Sequence, residues 1–336
     1  MTRRAWWAFG FMSIVWGASY LLIKIAINGG VPAPDVAWLR VALAAVVLAA
    51  PAWRAGTMST LRGRWKWIVG YAVAEISIPF PLIAAGEVHV ASSLAAIIIA
   101  AVPLIVTVLS LRFDPSERPT PLRAVGLGIG FTGVIALVGI DVAGSGAELL
   151  GAGAILVGAV GYAVGPMLVK LGMGGLDSRA VMGASLLVAT VLLAPFAAAD
   201  TPARMPSVGA LAAVATLGVL CTAVAFVVYT VLIREAGTSR ATVITYVNPL
   251  VALALGVTLL GERPGPSAVA GLLLILAGSW LSTGGGWPPA MGPPGRGRGP
   301  ADAASPGEAA PEAAASAVPS PAEAASEAAR RAISPA

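Results

Sequence analysis

Three ionisable side chains, Lys24, Arg40 and Glu75, lie inside stretches of sequence otherwise almost free of charge. Residues of this kind are costly in hydrocarbon and are functional candidates by default. Glu75 could take up and release a proton, or stay ionised beside a cation such as Arg40. A structural ion pair between helices is the competing reading, because desolvation can offset the attraction. The planar fork of Arg40 suits a carboxylate solute, whereas snorkelling to lipid headgroups would need no ligand. Lys24 admits the same two readings. Trp16, Tyr20 and Lys24 follow one another at i, i+4 and i+8, which puts two aromatic rings and a cation on one helix face. All five tyrosines, Tyr20, Tyr71, Tyr162, Tyr229 and Tyr246, fall inside apolar runs. With Trp16 they could wall a cavity for an amphipathic solute, or pack helices with each hydroxyl satisfied locally.

Asn248 precedes Pro249. A proline frees a carbonyl and loosens its helix, and the neighbouring amide can serve either a ligand or the backbone. Pro103 occupies the equivalent place earlier in the chain. The candidate solute-binding set is therefore Trp16, Tyr20, Lys24, Arg40, Tyr71, Tyr162, Tyr246 and Asn248. Glu75 is the candidate proton-coupling residue, and Pro103 and Pro249 are the expected helix bends. Ser92, Ser93 and Ala95, and likewise Thr238, Ser239 and Ala241, read as positions of close helix packing. Glu87 and His89 read as solvated in a short loop, and Cys221 as an inert packing residue. With one cysteine and one histidine, neither a metal site nor a disulfide framework is expected. No phosphate-cradling loop, dinucleotide fingerprint or Ser/His/Asp set is present, so no cofactor is expected; Gly126-x-Gly128-x-Gly130 reads as helix packing.

The elements that must hold these residues are set by composition. The chain is 57% hydrophobic and 11% charged, with a mean hydropathy of +0.86. Too few charges remain to coat a water-facing surface. Apolar runs predict ten transmembrane helices near 5–23, 35–53, 67–86, 90–111, 124–140, 149–169, 180–199, 205–233, 241–261 and 264–283. Thirteen Lys and Arg residues fall in alternate loops and at the N-terminus, while the opposite loops hold only Arg204 and Arg263. That asymmetry predicts a multi-pass protein of the cell membrane with both termini cytoplasmic. It also turns the net charge of +5 into a topology signal, so no nucleic-acid partner is expected. From Gly284 onward the composition shifts to Ala, Pro, Gly, Ser and Glu, the signature of a disordered tail over 284–336.

The chain also repeats itself. Glu117-Arg118-Pro119-Thr120-Pro121 with Gly126 and Gly133 returns as Glu262-Arg263-Pro264-Gly265-Pro266 with Gly271 and Gly278. Ser92-Ser93-x-Ala95 and Pro103 return as Thr238-Ser239-x-Ala241 and Pro249, and Trp16 and Lys24 as Tyr162 and Lys170. Each half, 1–143 and 144–283, then holds five spans. Five is odd, so the second copy inserts upside down. Inverted repeats are a recurring construction of secondary transporters, whose single mid-membrane site opens alternately to each side. The fold class expected is thus an all-α integral membrane protein of two inverted five-helix repeats with a disordered C-terminal tail.

These residues resemble the EamA-type branch of the drug/metabolite transporter superfamily. The resemblance rests on Trp16-Gly17-Ala18-Ser19 with Lys24, on Pro34 with Leu39-Arg40, and on Ala91-Ser92-Ser93-x-Ala95 leading to Pro103. Thr238-Ser239-x-Ala241 leading to Asn248-Pro249-Leu250 and the two Glu-x-Pro helix starts complete it. It spans about residues 5–282 and implies a ten-helix carrier of amino acids, other metabolites or toxic compounds, frequently an exporter. Arg40 has no counterpart, since the aligned residue is Leu186. The expected partners are a small-molecule solute, the lipid bilayer and, as a candidate, protons; oligomeric state stays open. Two other classes compete with the carrier. One is a membrane scaffold or sensor that recruits a partner through its tail. The other is a membrane-embedded enzyme on a lipid-linked substrate, disfavoured because acids and histidine do not cluster at one face.

Overall fold

The computed structural model describes residues 1–113, 120–142, 145–200, 202, 205–241 and 243–283. The expected tail, the Glu117-Arg118-Pro119 arm of the repeat and Arg204 lie outside the described residues. No strand occurs among the described residues. Among the described residues, eight helices are long and apolar enough to cross a membrane: α1 (Arg3–Asn28), α2 (Ala33–Arg54), α3 (Trp65–His89), α4 (Ser92–Phe113), α5 (Pro121–Gly139), α6 (Gly146–Gly172), α7 (Ser178–Ala199) and α8 (Val208–Ala236). Two shorter apolar helices follow, α9 (Ile244–Leu260) and α10 (Pro266–Ser282). At 17 residues each they reach about 26 Å, the short end of what spans a bilayer.

Helix starts follow the side chains before them. Thr2, Ser145, Asp177 and Ser207 each accept a hydrogen bond from a first-turn N–H, of Ala5, Glu148, Arg179 with Ala180, and Ala210 respectively. Prolines occupy the first turn of α2, α5 and α10, where the missing N–H costs nothing. Gly261, at φ 66°, ends α9 in the left-handed region and folds Glu262 back toward α9, its N–H donating to the Gly256 carbonyl over 3.1 Å.

Among the described residues, three helices carry a wide, π-type stretch: Ala72–Ser77 in α3, Leu137–Val142 continuing α5, and Val219–Val224 in α8. Such bulges re-aim side chains and recur at functional sites. Those in α3 and α8 fall at matching places of the repeat, one carrying Glu75 and the other Thr222.

Packing has a two-fold pattern. Helix α1 packs on α8 and α9, and α6 packs on α3 and α4; α2 lies along α7, α4 along α9, and α5 along α10. Exchanging each of α1–α5 with α6–α10 leaves this scheme unchanged. Without a hydrophobic drive between helices in lipid, small residues set such contacts. In the α5–α10 seam a Cβ added at Gly133 would sit 2.9 Å from the Gly271 carbonyl and 2.8 Å from Leu274 Cβ, and one at Gly278 would strike the Gly130 backbone. Gly126 is equally crowded by α10, whereas Gly128 faces open space.

Candidate functional site

Five helices bring polar and aromatic side chains together inside the bundle. Helix α1 supplies Trp16 and Tyr20, α2 supplies Arg40, α3 supplies Tyr71, Glu75 and Phe80, α6 supplies Tyr162, and α8 supplies Thr222, Phe226 and Tyr229. Arg40 is 9% exposed. Its Nε donates to Thr222 Oγ1 over 2.8 Å, and its guanidinium carbon stands 4.2 Å from the Phe80 ring centroid, a cation–π contact. The Thr222 hydroxyl in turn donates a hydrogen bond to the Leu217 carbonyl, 2.8 Å away and five residues back. Phe80 meets the edge of Tyr162 at 6.4 Å between centroids. Trp16 meets Phe226 at 6.2 Å and Tyr229 at 5.1 Å. Such offset and edge-on pairs make firm aromatic walls.

Glu75 projects from the wide turn of α3 toward α6. A Cβ at Gly165 would collide with its Oε2, so the glycine provides the space that the carboxyl fills. That oxygen is sealed from solvent and has no hydrogen-bond partner. Arg40 and Glu75 do not form an ion pair: the arginine is held by a neutral hydroxyl. The site therefore contains a buried cation and a half-buried carboxyl with one sealed oxygen, and no ion pair joins the two.

Other expected residues lie elsewhere. Lys24 Nζ donates to the backbone carbonyls of Glu87 and Val90 at 2.5 and 2.9 Å, where a cation complements the C-terminal end of α3. The Asn248 amide, with its nitrogen toward two carbonyls, donates to Ile244 at 3.0 Å and Ser13 at 3.2 Å, tying α9 to α1. Tyr246 Oη lies 3.4 Å from Thr283 Oγ1, at the end of α10. Helix α4 is interrupted at Ala100–Ala101, just before Pro103, while Pro249 sits within the continuous helix α9.

Two readings need correction. Glu87 is not solvated in a loop: α3 continues to His89, and Glu87 is completely buried. Ser92 and Ser93 are more than packing residues. The Glu262 carboxylate accepts from Ser92 N and Oγ, both at 2.8 Å, and from Ser93 N at 3.0 Å, an anion seated on the N-terminus of α4. Burial alone would raise the Glu262 pKa, but these bonds from Ser93 and Ser92 outweigh it and hold the carboxyl below its ordinary value. Phe80, Thr222 and Phe226 were not singled out in sequence. The repeat offers one signal, since Thr222 falls on the wide turn opposite the one bearing Glu75.

The sequence profile of the EamA-like transporter family matches residues 5–139 and again 149–284. The inner membrane transporter YedA of Escherichia coli K12 is 29% identical over 262 residues, covering 74% of this chain and 80% of YedA. A probable terminal-alkyne amino-acid exporter of Streptantibioticus cattleyicolor is 29% identical over 287 residues, covering 83% and 93%. A crystal structure superposes with a TM-score of 0.60 at 20% identity, covering 83% of this chain and 96% of its own; that likeness concerns the fold.

Proposed function

The chain belongs to the EamA-like transporter family and is a multi-pass membrane transporter, and from that premise we propose that it is a gradient-driven carrier exporting a small amino acid-like or amphipathic metabolite. It works by alternating access between inverted halves, 1–143 and 144–283, in the cell membrane with both termini cytoplasmic. The observation that carries this reading is Arg40: a buried guanidinium, stacked on Phe80 and held by Thr222, with no carboxylate against it. An unpaired buried charge is expensive, and a solute carboxylate is the partner that its fork fits best. Trp16, Tyr20, Tyr71 and Tyr162 offer rings and hydroxyls to the rest of the solute. Glu75, facing Gly165, stands ready for a solute ammonium or a proton. The exporter name of the Streptantibioticus relative supports the amino acid-like class. The basic residues gathered in alternate loops support the orientation.

The test is reconstitution of the full chain in liposomes with a panel of amino acids and amphipathic metabolites, with and without a pH gradient. Movement of a carboxylate-bearing solute supports the proposal. A panel on which nothing moves under either condition rejects it.

A further inference from the structure

The central site leaves one buried acid unused. Glu87 is 0% exposed, and both of its carboxyl oxygens lack any hydrogen-bond partner. An ionised carboxylate so placed would carry the full cost of desolvation with no donor to offset it. Helix α1 presents Lys24 and Tyr20, α2 presents Arg40, and the α9–α10 turn presents Glu262. Helix α4 offers the N–H groups of Ser92 and Ser93, but Glu262 already occupies them. Helix α6 presents Gly151 and Ile155 beside the adjacent Gly86. On α3 itself, His89 is exposed.

Two cations act on Glu87, Lys24 and Arg40, and Lys24 is the one that also binds the Glu87 backbone. Its ammonium rests 2.5 Å from the backbone carbonyl of Glu87 itself and 2.9 Å from that of Val90, so it now bolts α1 to the end of α3. The same ammonium is close enough for its charge to act on the Glu87 carboxyl, with which it forms no ion pair in this arrangement. The lysine can serve the α3 terminus or the carboxylate.

We propose that Glu87 is a second proton-binding site of the carrier, neutral in the conformation described, and that loss of its proton to water draws Lys24 away from the α3 terminus and loosens the α1–α3 contact. The site thereby ties protonation to the packing of the end of the bundle where α3 turns into α4. As a coupling device it rests on the transport reading above; as a proton site it stands on the geometry alone.

Infrared spectroscopy of the full chain in lipid bilayers tests it without any solute. With glutamate labelled at its side-chain carboxyl carbon, wild type at neutral pH should show an isotope-shifted C=O stretch of a protonated acid in a donor-free setting. Glu87→Gln should remove that component, and Glu75→Gln should leave it in place. Lys24→Gln, which removes one of the two cations that favour ionisation, should hold the proton to a proton concentration roughly tenfold lower. No protonated-glutamate stretch in labelled wild type overturns the proposal, whether or not any variant folds. A stretch unchanged by Glu87→Gln, or a titration unmoved by Lys24→Gln, overturns it equally. Proton occupancy without solute movement in liposomes would defeat the carrier reading and leave this site standing.

Discussion

Arg40 on α2 and Thr222 on α8 are joined by a 2.8 Å hydrogen bond across the interior of the bundle. A permanent cation inside a membrane protein is thus fixed by a hydroxyl and an aromatic face, without neutralisation by an acid. Fixing it this way keeps the guanidinium oriented while its charge stays available.

Thr222→Val removes the acceptor for Nε and leaves a buried donor unsatisfied, a loss of about 1–3 kcal/mol. The expected outcome is a lower melting temperature in detergent and weaker solute binding in the same variant. Thr222→Ser keeps the hydroxyl and should restore most of both. A Val variant with unchanged affinity would show that the bond does not orient Arg40.

Gly165→Ala drives a methyl group into the space of the Glu75 carboxyl. Overpacking of this kind costs about 1–3 kcal/mol, and transport should fall with it. Truncating the acid relieves the clash, so Gly165→Ala combined with Glu75→Ala should be more stable than the sum of the single changes predicts. Additive losses in a double-mutant cycle would mean that the two residues do not share the space.

The Glu262 latch on α4 has a pH signature. Its carboxyl lies below its ordinary value because the Ser93 and Ser92 bonds outweigh burial, and those bonds exist only in the folded chain. The stabilisation is complete above the ordinary carboxylate range and fades as pH falls through the lower folded value. Wild type should therefore lose more of its melting temperature on acidification than Glu262→Gln does. Parallel acid profiles for the two proteins would remove the latch from the account.

What the sequence made legible was whatever hydrocarbon makes expensive. Arg40 and Glu75 stood out as charges in apolar runs, and Trp16, Tyr20, Tyr71 and Tyr162 as polar rings away from headgroup depth; the fold brings these six toward one region. The partners were harder to read. Thr222 is neutral and unremarkable until α8 is laid against α2. Lys24 binds backbone carbonyls, which carry no side-chain signature. Glu87 sits just past the edge of its apolar run, where a loop was the natural reading, and only the continuation of α3 to His89 buries it. The Ser92–Glu262 contact joins residues 170 apart in sequence, and no local pattern encodes it.

The most direct test of the central claim is solute counterflow in liposomes, comparing wild type with Arg40→Gln on a carboxylate-bearing solute and on its uncharged amide. Wild type should prefer the acid, and Arg40→Gln should lose at least about tenfold of that preference, equivalent to about 1.4 kcal/mol, while still moving the amide. A variant that keeps the wild-type preference for the acid would contradict the assignment of Arg40 as the residue that receives the solute.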